Sequence, residues 1–432
     1  MKISVIGAGY LGATHALCMA SLGHEVVVVD VDSEKIALLK SGTLPFFEPG
    51  LSELFDSVRN TMKITFTTDI SSISECEINF LCIGTPQNRE GIAADLSALE
   101  SAFDSVLSVA KSGSIIAGKS TVPVGTAQRF ARELTATRPE ITLNWNPEFL
   151  REGHAVTDTL EPNRIVIGAS TPSDARVLAD FYRSVSPNAP QFITDFPTAE
   201  LVKVAANAFL ATKISFINAM SEIADVTGAD VTVLADAIGI DDRIGRKFLG
   251  AGIGFGGGCL PKDIRAFLAR ADELGLGESL AFLQEFDLIN QRARSRAVAV
   301  AVKELGNPKG KKVAILGAAF KPESDDVRDS PALEIAQTLA ALGADVVVTD
   351  PRALGSAAEK VPELTYEESV AQTLQGAELT MLLTEWSEYR SLDPEKVIGL
   401  VNTPTLFDGR NALDVKKWQK AGWKLLALGR SL

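Results

Sequence analysis

The chain has 432 residues, 46% of them hydrophobic and 22% charged, which allows two or three domains with their own cores and excludes a disordered or fibrous protein. Forty-two Lys and Arg stand against 55 Asp and Glu, a net charge of −13 with no long basic run, so general nucleic-acid binding has no electrostatic basis. An anionic metabolite remains possible, because a few local cations and helix N-termini hold a phosphate whatever the global sum.

The chain opens as a strand from Ile3 to Gly7, a Gly-rich turn, a helix from Leu11 to Leu22, and a buried strand from Val26 to Val29 that ends at Asp30. Residues 3–24 carry no Asp, Glu, Lys or Arg, so an export signal or membrane span has to be considered. Gly7, Gly9, Gly12 and Gly23 interrupt the stretch where a strand, turn and helix need them, and the reading is a βαβ unit with no membrane association. Gly7-Ala8-Gly9-Tyr10-Leu11-Gly12 satisfies G-x-G-x-x-G between that strand and that helix. The first glycine allows the tight turn, the second lets the backbone approach a pyrophosphate, and the third lets helix and strand pack closely. A carboxylate at Asp30 accepts hydrogen bonds from ribose hydroxyls and repels a 2′-phosphate, which points to NAD rather than NADP. Asp32 reads as a surface residue or helix cap.

Apolar strands continue at 78–83, 114–120, 141–145 and 164–168, alternating with helices, the pattern of a parallel sheet covered on both faces. Asn146 to Gly153 follows one of them, and its carboxylates, Glu148 and Glu152, suit proton transfer or sugar hydroxyls, or are surface charge. From about Thr198 the texture becomes long helices at 199–227, 261–274 and 279–305. Lys203 and Asn207 lie four apart on one face of the first, otherwise apolar helix, as an oxyanion-stabilising pair or a solvated edge.

Between the helices runs Gly252-Ile253-Gly254-Phe255-Gly256-Gly257-Gly258-Cys259-Leu260-Pro261-Lys262-Asp263. So many glycines cost folding entropy and make sense if a ligand approaches the main chain closely. Pro261 suits the first helical position, which places Cys259 just before a helix N-terminus, where the dipole and Lys262 favour thiolate. Cys259 is therefore a candidate nucleophile, with a small buried cysteine as the alternative. Asp263 suits water activation or complementing the helix dipole. The other cysteines, Cys18, Cys76 and Cys82, form no C-x-x-C, and three histidines give zinc little to bind; a reduced, cytoplasmic setting without a metal is expected.

After Gly306-Asn307-Pro308 the opening pattern returns, with Val313 to Gly317 answering Ser4 to Gly7 and Leu342 to Asp350 answering Leu22 to Asp30. This copy lacks the second and third glycines and carries an insertion from Pro322 to Pro331, so it should bind something other than a dinucleotide. The expectation is α/β: two Rossmann-like doubly wound parallel-sheet domains, 1–197 and 306–432, joined by a central helical domain, 198–305, with a long connecting helix.

Taken together, the motifs resemble the UDP-glucose 6-dehydrogenase family within the UDP-glucose/GDP-mannose dehydrogenases, over essentially the whole chain. They are Gly7 to Gly12, Phe47-Glu48-Pro49-Gly50-Leu51, Gly84-Thr85-Pro86, Ser120 to Thr126, Asn146 to Gly153, Lys203 to Asn207, the Cys259 loop, Phe320-Lys321-Pro322 with Asp325 to Arg328, and Phe407-Asp408-Gly409-Arg410. The resemblance implies two NAD-dependent hydride transfers at C6 of a nucleotide sugar held between domains, through a thiohemiacetal and a thioester on Cys259. It implies that Lys203 and Asn207 stabilise an oxyanion and that Thr121, Glu148 and Asp263 handle protons and water. Glu152, Arg243, Phe248, Lys321 and Arg410 would hold substrate, Arg243 in a neighbouring subunit of a homodimer. Gly7, Gly9, Tyr10, Leu11, Gly12, Asp30, Lys35, Thr85, Pro86, Thr121 and Arg328 would hold NAD. Arg243-Ile244-Gly245 and Pro162 to Gly168 look more like the UDP-glucose branch than the GDP-mannose branch. Gly258 departs from the family's usual serine, and Gly250 stands where some members have a basic residue. The competing expectations are oxidation of GDP-mannose or a UDP-N-acetylhexosamine, and, in a different class, a catalytically silent NAD- and nucleotide-binding regulator.

Overall fold

The computed structural model describes residues 1–88 and 91–432. It divides into two compact units, one of Met1–Ala206 with Arg265–Gly275, the other of Asn207–Ile264 with Leu276–Leu432.

The first unit is built on eight strands: β1 (Lys2–Ile6), β2 (Glu25–Val29), β3 (Ile64–Thr67), β4 (Ile78–Leu81), β5 (Ile115–Gly118), β6 (Thr142–Trp145), β7 (Ile165–Ala169) and β8 (Gln191–Thr194). They lie in the order β3-β2-β1-β4-β5-β6-β7-β8. Alternate residues of one strand enter different cores. Val26 and Val28 pack on one face with Ile3, Val5, Phe80 and Leu17, while Val27 and Val29 pack on the other with Ile6, Leu81 and Phe103. Burial on both faces is why these strands read as continuous apolar runs instead of alternating ones. The strand order reverses between β1 and β4, so the turn after β1 sits at the switch point where doubly wound sheets bind their ligands.

One junction departs from the parallel rule, since β7 runs antiparallel to β6, with Asn144 opposite Ala169 and Trp145 opposite Gly168. The link between these strands contains only the six-residue helix Ala155–Leu160, and Asn146 to Gly153 remains a loop at the C-terminal end of β6.

The second unit contains β9 (Lys312–Leu316), β10 (Asp345–Thr349), β11 (Thr365–Tyr366), β12 (Leu379–Leu382), β13 (Thr405–Asp408) and β14 (Lys424–Ala427). All are parallel, in the order β11-β10-β9-β12-β13-β14. Its core joins Ile315, Leu339, Val348, Met381, Trp386, Phe407 and Trp418.

The helix Phe196–Thr227 starts three residues earlier than the apolar pattern suggests. Asp195 accepts the Thr198 amide at 2.7 Å as a cap, and Pro197, which lacks an amide hydrogen, fits the first turn. The helix Leu260–Glu273 begins one residue before Pro261, and Cys259 precedes it directly, its carbonyl accepting the Asp263 amide at 2.9 Å.

Candidate active site

The three glycines after β1 do three different jobs. Gly7 has φ +97°, and a side chain there would meet the Cys82 carbonyl at 2.7 Å; a Cβ on Gly12 would lie 1.8 Å from the Gly7 carbonyl oxygen; above Gly9 there is nothing within 4 Å. Gly9 begins the helix Tyr10–Ser21 without a side-chain cap. Open space over Gly9 and uncapped helix amides fit a pyrophosphate. Asp30, nearly buried at the end of β2, fastens this turn by accepting the Ala8 amide at 2.7 Å. Lys35 reaches the same carboxylate at 3.3 Å, and Asp32 caps the next helix through the amides of Glu34 and Lys35.

The C-terminal copy of the turn is closed to that use. Asp350 accepts the Ala318 and Ala319 amides at 2.7 and 3.0 Å and the Trp386 indole at 3.1 Å. The helix that follows, Pro331–Ala341, begins at a capping Ser330 whose hydroxyl accepts the Leu333 amide.

Within the first unit, three motifs are tied to one another. Tyr10 donates its hydroxyl to buried Glu48, whose carboxylate also accepts the amides of Gly153 and Ala155, each at 2.7 Å. Glu48 thus joins the Gly-turn helix to the Asn146 to Gly153 loop, a role its motif did not reveal. Thr85 donates its hydroxyl to the Thr121 carbonyl at 2.7 Å, and the Pro86 carbonyl accepts the Asp95 amide at 2.8 Å.

Glu148 belongs to the Asn146 to Gly153 loop. One oxygen accepts the Phe149 and Leu150 amides at 2.7 and 3.0 Å, and the other is 2.8 Å from the ammonium of buried Lys119. Burial pushes its carboxyl up, but the charge and hydrogen bond of Lys119, with further help from Lys203, outweigh it and hold the group below its ordinary value. Lys203, on the long helix, is 9% exposed, with its ammonium 5.4 Å from the centre of the Phe149 ring. No described residue accepts a hydrogen bond from it. An almost buried ammonium without a polar acceptor is ready for a ligand oxygen. Glu152 is half-buried in the same loop, as is Leu11 at the start of the first helix.

In the second unit, Asn207 donates to Asp263 at 2.6 Å, while Lys262 pairs with the other Asp263 oxygen at 2.7 Å. Lys262, expected to favour thiolate, thus places charge on Asp263, and buried Asp263 fixes the Asn207 amide. Cys259 is exposed and, like Cys18, Cys76 and Cys82, joins no disulfide.

The glycines before Cys259 answer to the protein's own packing, which corrects the expectation that they make room for a ligand. Added side chains would strike the Gly409 carbonyl at Gly252 (2.4 Å), Asn290 at Gly254 (2.3 Å), the Asp329 carbonyl at Gly256 (2.1 Å) and the Phe320 ring at Gly257 (2.7 Å). Hydrogen bonds then clamp the loop: Ile253 to Gly409, Phe255 to Asn290 in both directions, Arg294 to the Phe255 carbonyl, and Gly257 to the Arg328 carbonyl. Gly258 leaves the space in which the Arg328 guanidinium lies, 2.2 Å from where a side chain would begin. That guanidinium also forms a bidentate pair with Asp326.

Arg410 is largely committed to the same clamp. It donates to the carbonyls of Leu383, Gly254 and Phe320 at 2.8, 2.7 and 3.2 Å and approaches Glu385 at 3.4 Å; of the five N–H groups of a guanidinium, these three bonds leave two for a ligand. Lys321 lies 5.5 Å over the Phe320 ring. Arg243 is 89% exposed and paired with Asp241. Phe248 holds a left-handed backbone, φ +65°, of the kind that strained functional loops carry.

A parallel sheet with a glycine-rich dinucleotide turn at its switch point, followed by a second parallel α/β sheet, defines the class as that of the dinucleotide-dependent dehydrogenases. Family models for the UDP-glucose/GDP-mannose dehydrogenases match the chain in sequence: the NAD binding domain over residues 1–186, the central domain over 197–292 and the UDP binding domain over 314–415. UDP-glucose 6-dehydrogenase TuaD of Bacillus subtilis is 39% identical over 99% of this chain and 93% of its own. A solved UDP-glucose dehydrogenase from Pyrobaculum islandicum superposes with a TM-score of 0.90 at 35% identity, covering 100% of this chain and 98% of that one. A UDP-D-ManNAc dehydrogenase from Pyrococcus horikoshii gives 0.87 at 27% identity, covering 100% and 99%. The chain belongs to the UDP-glucose/GDP-mannose dehydrogenase family and is an NAD-dependent nucleotide-sugar dehydrogenase.

Proposed function

We propose that this protein oxidises UDP-glucose to UDP-glucuronate, with two NAD consumed per sugar and Cys259 as the covalent catalyst. The observation that carries the reading is an exposed thiol at the start of Leu260–Glu273, on a loop clamped by its own fold, with the Asn207–Asp263 pair in the same unit. NAD, when bound over Gly9, supplies the acceptor for both hydrides.

The residues divide the remaining work. Thr121 and Glu148 take the proton of the C6 alcohol as the first hydride leaves, giving the aldehyde. The Cys259 sulfur bonds to the aldehyde carbon, its proton passing to the carbonyl oxygen, and Lys203 with Asn207 hold that oxygen as charge develops. Loss of the second hydride and the hydroxyl proton leaves a thioester. A water positioned by Asp263 adds to the acyl carbon, the carbon–sulfur bond breaks, the leaving sulfur takes up one of the water's protons to restore the Cys259 thiol, and the carboxylate departs with the other proton released. Glu152, Arg243, Phe248, Lys321 and the remaining donors of Arg410 would hold the nucleotide sugar, and Asp30, Lys35, Thr85, Pro86 and Arg328 the dinucleotide.

Names of relatives support UDP-glucose as substrate. The Pyrococcus horikoshii neighbour keeps a UDP-N-acetylhexosamine in view, and a panel of nucleotide sugars assayed for kcat/KM separates them. The three family segments support domains at 1–197, 198–305 and 306–432. Reduced cysteines and the absence, among described residues, of a helix long and apolar enough to cross a membrane support a cytoplasmic enzyme. A homodimer through the central helices is part of the proposal.

The decisive experiment is stoichiometric. Wild-type protein with limiting UDP-glucose should yield two NADH per sugar, and Cys259→Ser should lose at least about 100-fold in the complete reaction, in line with removal of a catalytic nucleophile. One NADH per sugar from the wild type, or full turnover by the serine variant, defeats the mechanism.

A further inference from the structure

Lys119 stands at the end of β5 directly after Ile115-Ile116-Ala117-Gly118 and is 3% exposed. Its ammonium meets Glu148 at 2.8 Å, Asn146 at 3.0 Å and the Tyr182 hydroxyl at 3.1 Å, which accounts for all three of its N–H donors. The partners are themselves fixed. Asn146 donates to the Val166 carbonyl at 2.8 Å, and Tyr182, from the helix Arg176–Val185, donates to Asn146 at 2.5 Å. Three elements therefore converge on one ammonium, and the exit from that cluster is the Glu148 side chain, still 19% exposed.

A buried ion pair is a poor way to gain stability, since apolar replacements of similar volume often do as well or better. Its placement under a carboxylate assigned to catalysis calls for another reason. We propose that Lys119 is a positioning residue for the oxidation, holding the Glu148 carboxylate in one orientation as a proton acceptor. The inference rests on the role given to Glu148 under the proposed function.

The charged and titratable groups around the pair are Lys203 from the long helix, Tyr182, Cys82 after β4, and Cys18 and His15 from the first helix. Lys119 makes the largest opposing contribution to the burial that would raise Glu148. Without it, burial prevails and the carboxyl holds its proton to higher pH.

The test is the pH–rate profile of NADH formation from UDP-glucose for wild type, Lys119→Met, Lys119→Arg and Glu148→Gln. Lys119→Met should move the acid limb up by about one to three pH units and cut kcat at pH 7 by about tenfold or more, with KM for UDP-glucose within about threefold. Lys119→Arg should bring the limb back toward wild type. An unmoved limb in Lys119→Met, with Glu148→Gln impaired, overturns the role of Lys119 alone. Wild-type rates in Glu148→Gln overturn the assignment of Glu148. If Lys119→Met does not fold, Lys119→Met/Glu148→Gln decides: recovery of a folded protein shows the coupling, and failure of both shows that Lys119 serves the fold independently of Glu148.

Discussion

Glu200 shows how a single side chain can set a pH dependence. It lies in the first turns of the helix Phe196–Thr227 and accepts the amides of Gly125 and Ala127 at 2.7 and 2.6 Å, capping the helix Thr126–Thr137. Burial pushes its carboxyl up to about 7, although those amides and Arg270 pull the other way. The folded value thus exceeds that of the unfolded chain, ordinarily about 4.3, and the native state binds more protons between the two. Stability supplied by Glu200 is present below the unfolded value and declines as pH rises toward 7. The destabilisation caused by Glu200→Ala should therefore be larger at pH 5 than at pH 8, by about 2 kcal/mol. Urea titrations at the two pH values measure it, and equal losses would show that Glu200 is ionised throughout. Residues of this kind escape a reading of the sequence. Nothing local marks Glu200 or Lys119 as buried, although Lys119 ends an apolar strand, where a charge needs a partner. The helix start beside Cys259, the strand end at Asp30 and the Gly7 to Gly12 turn were legible because each depends on neighbours a few residues away.

At the level of elements, the same contrast separates the two glycine-rich segments. Around Gly9 the reason for glycine could be read directly, since the strand, turn and helix that require it are contiguous. Before Cys259 the position of the loop was legible but its cause was not: the atoms that exclude side chains, at Gly409, Asn290, Asp329 and Phe320, come from segments 36 to 157 residues downstream. The antiparallel β6–β7 junction was hidden for a related reason, because an apolar strand carries no mark of its direction. If the glycines exist to let the loop pack, substitution should harm fold and chemistry together. Gly257→Ala places a methyl against the Phe320 ring at a residue with φ +86°. It should cost about 2 kcal/mol, combining left-handed strain with overpacking, and should slow the second oxidation more than the first, because the thiol is carried on the displaced backbone. Denaturation together with single-turnover counting of NADH tests both parts; a stable variant with wild-type stoichiometry would mean the loop has more room than its contacts show.

For the whole molecule, the central helices leave an apolar face uncovered. Phe209, Phe216 and Ile223 recur every seven residues along Phe196–Thr227, and they are 67%, 43% and 55% exposed. Seven residues are nearly two helical turns, so the three side chains share one face. A row of large side chains on one face is better suited to association than to solvent, which is the physical support for the proposed homodimer. Arg243 bears on the same question, because among the described residues its exposed guanidinium is paired only with the neighbouring Asp241, leaving it accessible to a substrate held by a second copy. Phe216→Glu should convert the protein to a species of half the mass by sedimentation, since a charge in the centre of such a face must be desolvated on association. Arg243→Ala should leave the mass unchanged and raise KM for UDP-glucose by about tenfold, the loss expected of one charge-assisted contact to phosphate. If Phe216→Glu dissociates the protein and also raises KM to the level of Arg243→Ala, the helical face and the arginine belong to one interface. A monomeric Phe216→Glu with wild-type KM would assign Arg243 to its own subunit's substrate, and a Phe216→Glu that keeps the wild-type mass would move the interface off this helix.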